Sequence, residues 1–245
     1  MTRKETSFPE NLMSKRNTNH ILITLAALAL SVGATHAANT AGKCIRTMTG
    51  HADYITDVAM SPDGVHAASA SYDKTLKLWN LTTGKCVRTF TGHESAVLAV
   101  CFSPNGKKVI TGCKGGVMRL WDVATGKCLY ILQAHRALLE SLAISLDGKR
   151  VVSGGYGDVK LWDMATGKCI QTIKAHEGTV RSVCFAKDGK GVFSAGDDNL
   201  VQYWDATTGK CIRTFKGHTY HVHKVCLSPD GTSIATAAGS VNLFL

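Results

Sequence analysis

One spacing governs this sequence. Histidines stand at His51, His93, His135, His176 and His218, separated by 42, 42, 41 and 42 residues. Each follows a glycine or an alanine: Gly50, Gly92, Ala134, Ala175 and Gly217. The chain's four tryptophans, Trp79, Trp121, Trp162 and Trp204, keep the same period, each followed by Asn or Asp. A Gly-Lys-Cys triplet forms a third register, ending at Cys44, Cys86, Cys128, Cys169 and Cys211. Three registers at one period describe copies of a single supersecondary unit, which buries its apolar surface by stacking on its neighbours.

Within one unit the sequence reads as four short strands. Residues 54–60, 65–70, 75–79 and 86–90 are rich in β-branched and aromatic residues. Ser61-Pro62-Asp63-Gly64 closes the first strand, with proline where φ near −65° is wanted and glycine where φ is positive. Thr83-Gly84 turns the chain into the fourth. No stripe at helical spacing interrupts them, so the expected class is all-β.

The period and its His, Trp-Asp and Gly-x-Cys registers, over residues 42–245, resemble those of the WD-repeat (Trp-Asp repeat) β-propeller family. The resemblance implies a propeller of four-stranded antiparallel blades, five by repeat count. The unpartnered first copy, residues 44–48, would serve as the outer strand of the C-terminal blade and close the ring, which would cover an open sheet edge. It also implies that His51, Ser69, Asp73 and Trp79 form a structural hydrogen-bonded tetrad, as do His176, Ser194, Asp198 and Trp204. A Ser-His-Asp set invites comparison with a hydrolase, but a nucleophile is needed once in a molecule and not once per blade. The second blade keeps His93, Thr111 and Trp121, with Gly115 at the Asp place. The third keeps His135, Ser153 and Trp162, with Gly157 there and Asp158 as a substitute left open. His218 opens the fifth, where Phe244 and Leu245 replace Trp-Asp.

Residues 1–38 read differently. Lys15 and Arg16 precede an apolar run from Ile21 to Leu30, which fades into small residues at 34–38. That order describes an export signal, and the run is short of the roughly 20 apolar residues a spanning helix needs. The expected division is a leader at 1–38 and a propeller at 39–245, secreted or periplasmic, with no transmembrane span in the mature chain. A cytoplasmic chain is the alternative. The nine cysteines sit uneasily with export, because many free thiols are unusual outside the cell. Most are expected to be core filler, with Cys101, Cys184 and Cys226 at one shared first-strand position.

A propeller has two loop faces. One collects Lys43, Lys85, Lys127, Lys168 and Lys210 with Lys107, Lys108, Lys149, Arg150, Lys187 and Lys190, in a chain of formal charge +10. The other carries residues that differ from blade to blade: Tyr54, Tyr72, Arg136, Leu138, Tyr156, Asp197, Tyr220 and His221. Tyrosine and arginine are common interface anchors, so this second face is the expected site for a protein or peptide partner. The leading expectation is a non-catalytic scaffold. One alternative is a binder of anionic polymer, lipid head groups or nucleic acid through the basic face, nucleic acid being disfavoured by the lack of interleaved aromatics. Another is a propeller-platform enzyme, for which no carboxylate dyad or Cys-His pair appears outside the repeat. No catalytic residue, cofactor or metal is expected; His221 and His223, read as sharing one strand face, are expected to be a surface pair.

Overall fold

The computed structural model describes residues 44–239 and 241–244. The expected leader, residues 1–38, lies outside them. Every strand pairing among the described residues is antiparallel. Blade 1 is β1 (Ile55–Met60), β2 (His66–Ser71), β3 (Leu76–Asn80) and β4 (Cys86–Phe90), paired in that order. Blade 2 repeats it with β5 (Val97–Phe102), β6 (Lys108–Cys113), β7 (Val117–Asp122) and β8 (Cys128–Gln133).

Blades 3 and 4 share a strand. β9 (Ser141–Ile144), β10 (Arg150–Gly154) and β11 (Tyr156–Asp163) lead into β12 (Cys169–Phe185), which continues into β13 (Gly191–Gly196), β14 (Val201–Asp205) and β15 (Cys211–Phe215). The first part of β12, through Lys174, pairs with β11, and the last part pairs with β13. One strand is thus both the outer edge of blade 3 and the inner strand of blade 4. Among the described residues, blade 5 has three strands, β16 (Lys224–Leu227), β17 (Ile234–Ala237) and β18 (Val241–Phe244).

The composition of each strand follows its place in the stack. β2 reads His-Ala-Ala-Ser-Ala-Ser, and all but its first residue are buried. A second strand has neighbours against both faces, so it cannot alternate apolar and polar, and small residues let the sheets approach. β4 has only Phe90 buried, as an outer strand should. The core lies between consecutive blades: Ala68, Leu76 and Phe90 of blade 1 pack with Val97, Val100 and Trp121 of blade 2. The Phe90 and Trp121 rings meet edge-on at 5.6 Å.

The turns form as the sequence reads. Gly64 takes φ 69° and donates its amide to the Ser61 carbonyl at 3.0 Å. The Ser61 hydroxyl and the Val65 amide both bond Asp63 and hold its carboxyl down at about 2.

Met48, in the segment expected to close the ring, is in a β-bridge. The segment also seats against blade 1, where Arg46 Nη1 donates to the Thr83 carbonyl at 2.9 Å and Met48 packs on Trp79. Val58 of β1 is 43% exposed, whereas its repeat counterparts Val100, Val183 and Val225 are 4%, 4% and 2% exposed.

Candidate functional site

The repeated polar residues come together inside each blade. In blade 1 the Trp79 indole N–H donates to Ser69 Oγ at 2.8 Å, Ser69 Oγ meets His51 Nε2 at 2.7 Å, and His51 Nδ1 meets Asp73 at 2.8 Å. Blade 4 matches it: Trp204 to Ser194 at 2.8 Å, Ser194 to His176 at 2.7 Å, His176 to Asp198 at 2.8 Å. The distances would suit a Ser-His-Asp triad. Ser69 is nevertheless 1% exposed, and its one hydroxyl is taken on one side by the indole and on the other by the imidazole. A hydroxyl closed off from solvent and held between two buried side chains has no path to a substrate.

Burial alone would raise the Asp73 carboxyl. Hydrogen bonds from the Thr75 hydroxyl, the Ala52 amide and His51 outweigh it and hold the group at about 2. Asp73 therefore stays charged and joins the loop before β1 to the β2–β3 turn.

Blades 2 and 3 keep the indole–hydroxyl–imidazole chain without the carboxylate. Trp121 donates to Thr111 Oγ1 at 3.0 Å, and His93 Nε2 meets the same oxygen at 3.0 Å. His93 Nδ1 turns to the carbonyl of Lys74 at 3.2 Å, a residue of blade 1 held in left-handed backbone at φ 64°. In blade 3, Trp162 and His135 both reach Ser153 Oγ at 2.8 Å. Asp158 does not take the empty place; its carboxylate pairs with Lys174 on β12 at 2.8 Å. Burial, assisted by the charge of Arg119 for His93 and of Lys160 for His135, lowers both imidazoles to about 4. In blade 5, His218 Nε2 meets Thr236 Oγ1 at 2.7 Å.

The first strands of all five blades line a central cavity of about 580 Å³. One repeat position, five residues after each tetrad histidine, lines it from every blade with Thr56, Leu98, Glu140, Arg181 and His223. No two of these are alike. Deeper in, the Asp57 carboxyl is raised by burial, against the pull of the Val100 amide and the charge of Lys224. At the rim Asp197 binds Arg181 at 2.7 Å and His221 at 2.8 Å. Burial would raise Asp197; these two partners and the Thr179 amide hold it far below the usual carboxylate range.

The partner residues expected from sequence are dispersed over this face. Tyr54, Tyr156 and Tyr220 are 74%, 68% and 66% exposed, and Tyr72 is 43% exposed. Tyr72 lines the central cavity, while Tyr156 lines a groove with Glu177 and Asp198 between blades 3 and 4. Arg136 is exposed and Leu138 half-buried. His221 and His223 precede β16 in a loop rather than sharing a strand face, and His221 is engaged by Asp197. Among the described residues no group of three or more His, Cys, Asp or Glu is placed to hold a metal, and no helix is long and apolar enough to cross a membrane.

Sequence reasoning missed the ring of Thr56, Leu98, Glu140, Arg181 and His223. Aligning the repeats on their histidines shows one position where the framework stays constant and the residue never repeats. It also misread the cysteines. All nine thiols are free; Cys44, Cys86, Cys128, Cys169 and Cys211 are exposed on the outer strands, and Cys226 is exposed on β16. An outer strand meets only one neighbour, so its first residues stay in water.

On the opposite face, Lys85, Lys107, Lys127, Lys149, Lys168 and Lys210 are exposed. Lys187 is tied to the Pro229 carbonyl at 3.1 Å, and Arg150 donates to the Gly189 carbonyl at 2.6 Å.

Comparison with known proteins agrees with this architecture. The profile of the family described as "WD domain, G-beta repeat" matches residues 42–80, 84–122, 126–163, 167–205 and 209–242. The chain is 50% identical over 40 residues to Small ribosomal subunit protein RACK1 of Caenorhabditis elegans, covering 16% of this chain and 12% of that one. It is 46% identical over 41 residues to Protein Notchless of Drosophila melanogaster, covering 17% and 8%. To Nuclear distribution protein nudF 2 of Penicillium rubens it is 44% identical over 41 residues, covering 17% and 9%. Each match takes in about one repeat, and the chain spans about a tenth of the length of these curated relatives. Five family repeats, four-stranded antiparallel sheets and repeated His-Ser-Trp bonding converge on one conclusion: the chain belongs to the WD-repeat family of β-propellers.

Proposed function

We propose that this chain is a non-catalytic scaffold that docks a protein or peptide segment across the face bearing the mouth of the central cavity. The carrying observation is the contrast between a constant framework and a varied rim. The His-hydroxyl-Trp bonds recur in blades 1 to 4, while Thr56, Leu98, Glu140, Arg181 and His223 present five different chemistries around one opening. Tyr72 lines the same cavity, and the exposed Tyr54, Tyr156 and Tyr220 add large amphipathic side chains. Tyrosine supplies contact area at low entropic cost, which suits an interface. The Arg181–Asp197–His221 cluster fixes three polar groups in one orientation, so less ordering is needed on binding.

Display selection of peptides against the full chain tests this. Affinity of the selected peptides should fall about tenfold or more, a hot-spot loss, with Arg181→Ala or Tyr156→Ala, and stay unchanged with Lys85→Ala or Lys127→Ala. The reverse pattern would replace this reading with the basic face.

We also propose that residues 1–38 direct export, on the strength of Lys15, Arg16 and the run from Ile21 to Leu30. N-terminal sequencing of protein from the native compartment should find a new start near Ala38; a chain beginning intact at Met1 would contradict it.

A further inference from the structure

Blade 2 holds a buried cation beside an absent carboxylate. In blades 1 and 4 that carboxylate stands 2.8 Å from the histidine Nδ1 and accepts the next residue's amide, from Ala52 at 3.0 Å and from Glu177 at 3.3 Å. In blade 1 a second side chain flanks it, Ser71, whose Oγ accepts the Asp73 amide at 3.1 Å. The blade 2 counterparts of the two flanking groups are His93 and Cys113, and Gly115 stands where the aspartate would.

Arg119, from β7, enters this neighbourhood. Its charge acts on both flanking groups, lowering the imidazole of His93 and opposing the rise of the Cys113 thiol. The residue is 6% exposed, and its Nε is buried without a hydrogen-bond partner. Its nearest carboxylate, Glu94, lies 3.9 Å away with 92% of its side chain in solvent. Leaving a guanidinium buried with an idle N–H and one loose, screened partner is unfavourable. Blades 1 and 3 place a lysine there that finds a partner: Lys77 bonds Thr89 at 3.0 Å, and Lys160 bonds the Ala134 carbonyl at 2.9 Å; blade 4 places the neutral Gln202, whose Oε1 is buried without one.

The notch is also open. Gly115 is exposed, and a Cβ added there would meet only Ser95 Oγ, at 3.4 Å. Carboxylates match the planar fork of a guanidinium, and the sister blades show that the repeat geometry accommodates one here.

We infer that the notch bounded by His93, Ser95, Gly115 and Arg119 receives the carboxylate of an acidic side chain from a bound peptide, supplying in trans what Asp73 and Asp198 supply to blades 1 and 4. This rests on the reading of the cavity-mouth face as a peptide dock, and it names the side chain that blade 2 takes. Glu94, exposed and loosely held, is displaced from Arg119 when the ligand enters.

The test uses the full chain, with sodium acetate and N-acetyl-aspartyl amide as probes and sodium chloride as the control at matched ionic strength. NMR should show a saturable shift of the Arg119 Nε–H and of the Gly115 amide with both probes and not with chloride, and in Arg119→Gln the Gly115 amide shift should need at least tenfold more probe. Gly115→Asp supplies the carboxylate in cis at a position whose backbone is not left-handed. It should raise the His93 pKa by about one unit or more, the usual effect of a neighbouring carboxylate, and abolish the acetate response. No saturable shift, an equal shift with chloride, or an acetate response unchanged in Gly115→Asp would overturn the inference. So would loop-face peptides whose acidic residues can be replaced by alanine without loss of affinity. If acetate binds at Arg119 while no peptide binds the face, it is the docking reading that fails.

Discussion

Met48 packs on the indole of Trp79 just as Phe90, one repeat later, packs on the indole of Trp121. The same correspondence holds for their neighbours: Arg46 reaches the Thr83 carbonyl at 2.9 Å, and Arg88 reaches the Thr125 carbonyl at 3.1 Å. Residues 44–48 therefore sit on blade 1 as the outer strand of a preceding blade would. Met48 is 3% exposed, so Met48→Ala should destabilise the fold by about 2–5 kcal/mol, the usual cost of such a truncation in a core. Denaturant titration measures it. A change below about 0.5 kcal/mol, the scale of a neutral surface substitution, would mean that the segment is not part of the folded unit.

Ser69 is the shared atom of the blade 1 tetrad. Ser69→Ala leaves the Trp79 N–H and His51 Nε2 both buried without their hydroxyl partner. Each such orphan costs about 1–3 kcal/mol, so the loss should exceed that of a simple hydroxyl deletion. Ser69→Thr should recover most of it, because Thr111 does the same work in blade 2. Equal stability for the alanine and threonine variants would contradict the structural role.

Acid should loosen blades 2 and 3 before blades 1 and 4. His93 and His135 are lowered to about 4, from an ordinary value of 6.5. Between those values the unfolded chain takes up protons that the folded chain refuses, so stability falls as pH drops through that window and levels below it. At about 1.4 kcal/mol per unit, each ring contributes a loss on the order of 3 kcal/mol. Asp73, held at about 2, still carries its charge throughout the window. Amide exchange at pH 7 and pH 4.5 should show β6, β7, β10 and β11 losing protection first; uniform loss across the blades would refute the assignment.

Thiol reactivity should divide the cysteines into two groups. Cys44, Cys86, Cys128, Cys169 and Cys211 are exposed. Burial pushes the Cys113 thiol up to about 11 and the Cys184 thiol up to about 12, and it raises Cys101 as well. Alkylation at pH 8 followed by peptide mass spectrometry should label the first group at least about tenfold faster, since the thiolate is the reacting form. Comparable rates at Cys86 and Cys184 would show that the inner strands open more readily than their packing implies.

The strands, their order and the His-hydroxyl-Trp chains were legible in the sequence because each recurs, and a feature stated four or five times is hard to misread. What does not recur was not legible. Arg119 reads as one more basic residue on an alternating strand, and only the loss of an aspartate at Gly115 gives its burial meaning. The outer-strand cysteines recur faithfully, yet their repetition says nothing of which side of the sheet faces water. His221 and His223 are two residues apart, which suggested one strand face; both precede β16, which begins at Lys224, and Val222 between them is buried.

The central claim is that a constant, buried framework presents a varied face for a peptide. Hydrogen exchange of the full chain, with and without a display-selected peptide, addresses it directly. Protection should appear in residues 54–56, 136–140, 178–181 and 220–223, and the Gly-Lys turns at 84–85, 126–127, 167–168 and 209–210 should be unchanged. Protection confined to those turns, with the cavity mouth unaffected, would contradict the claim.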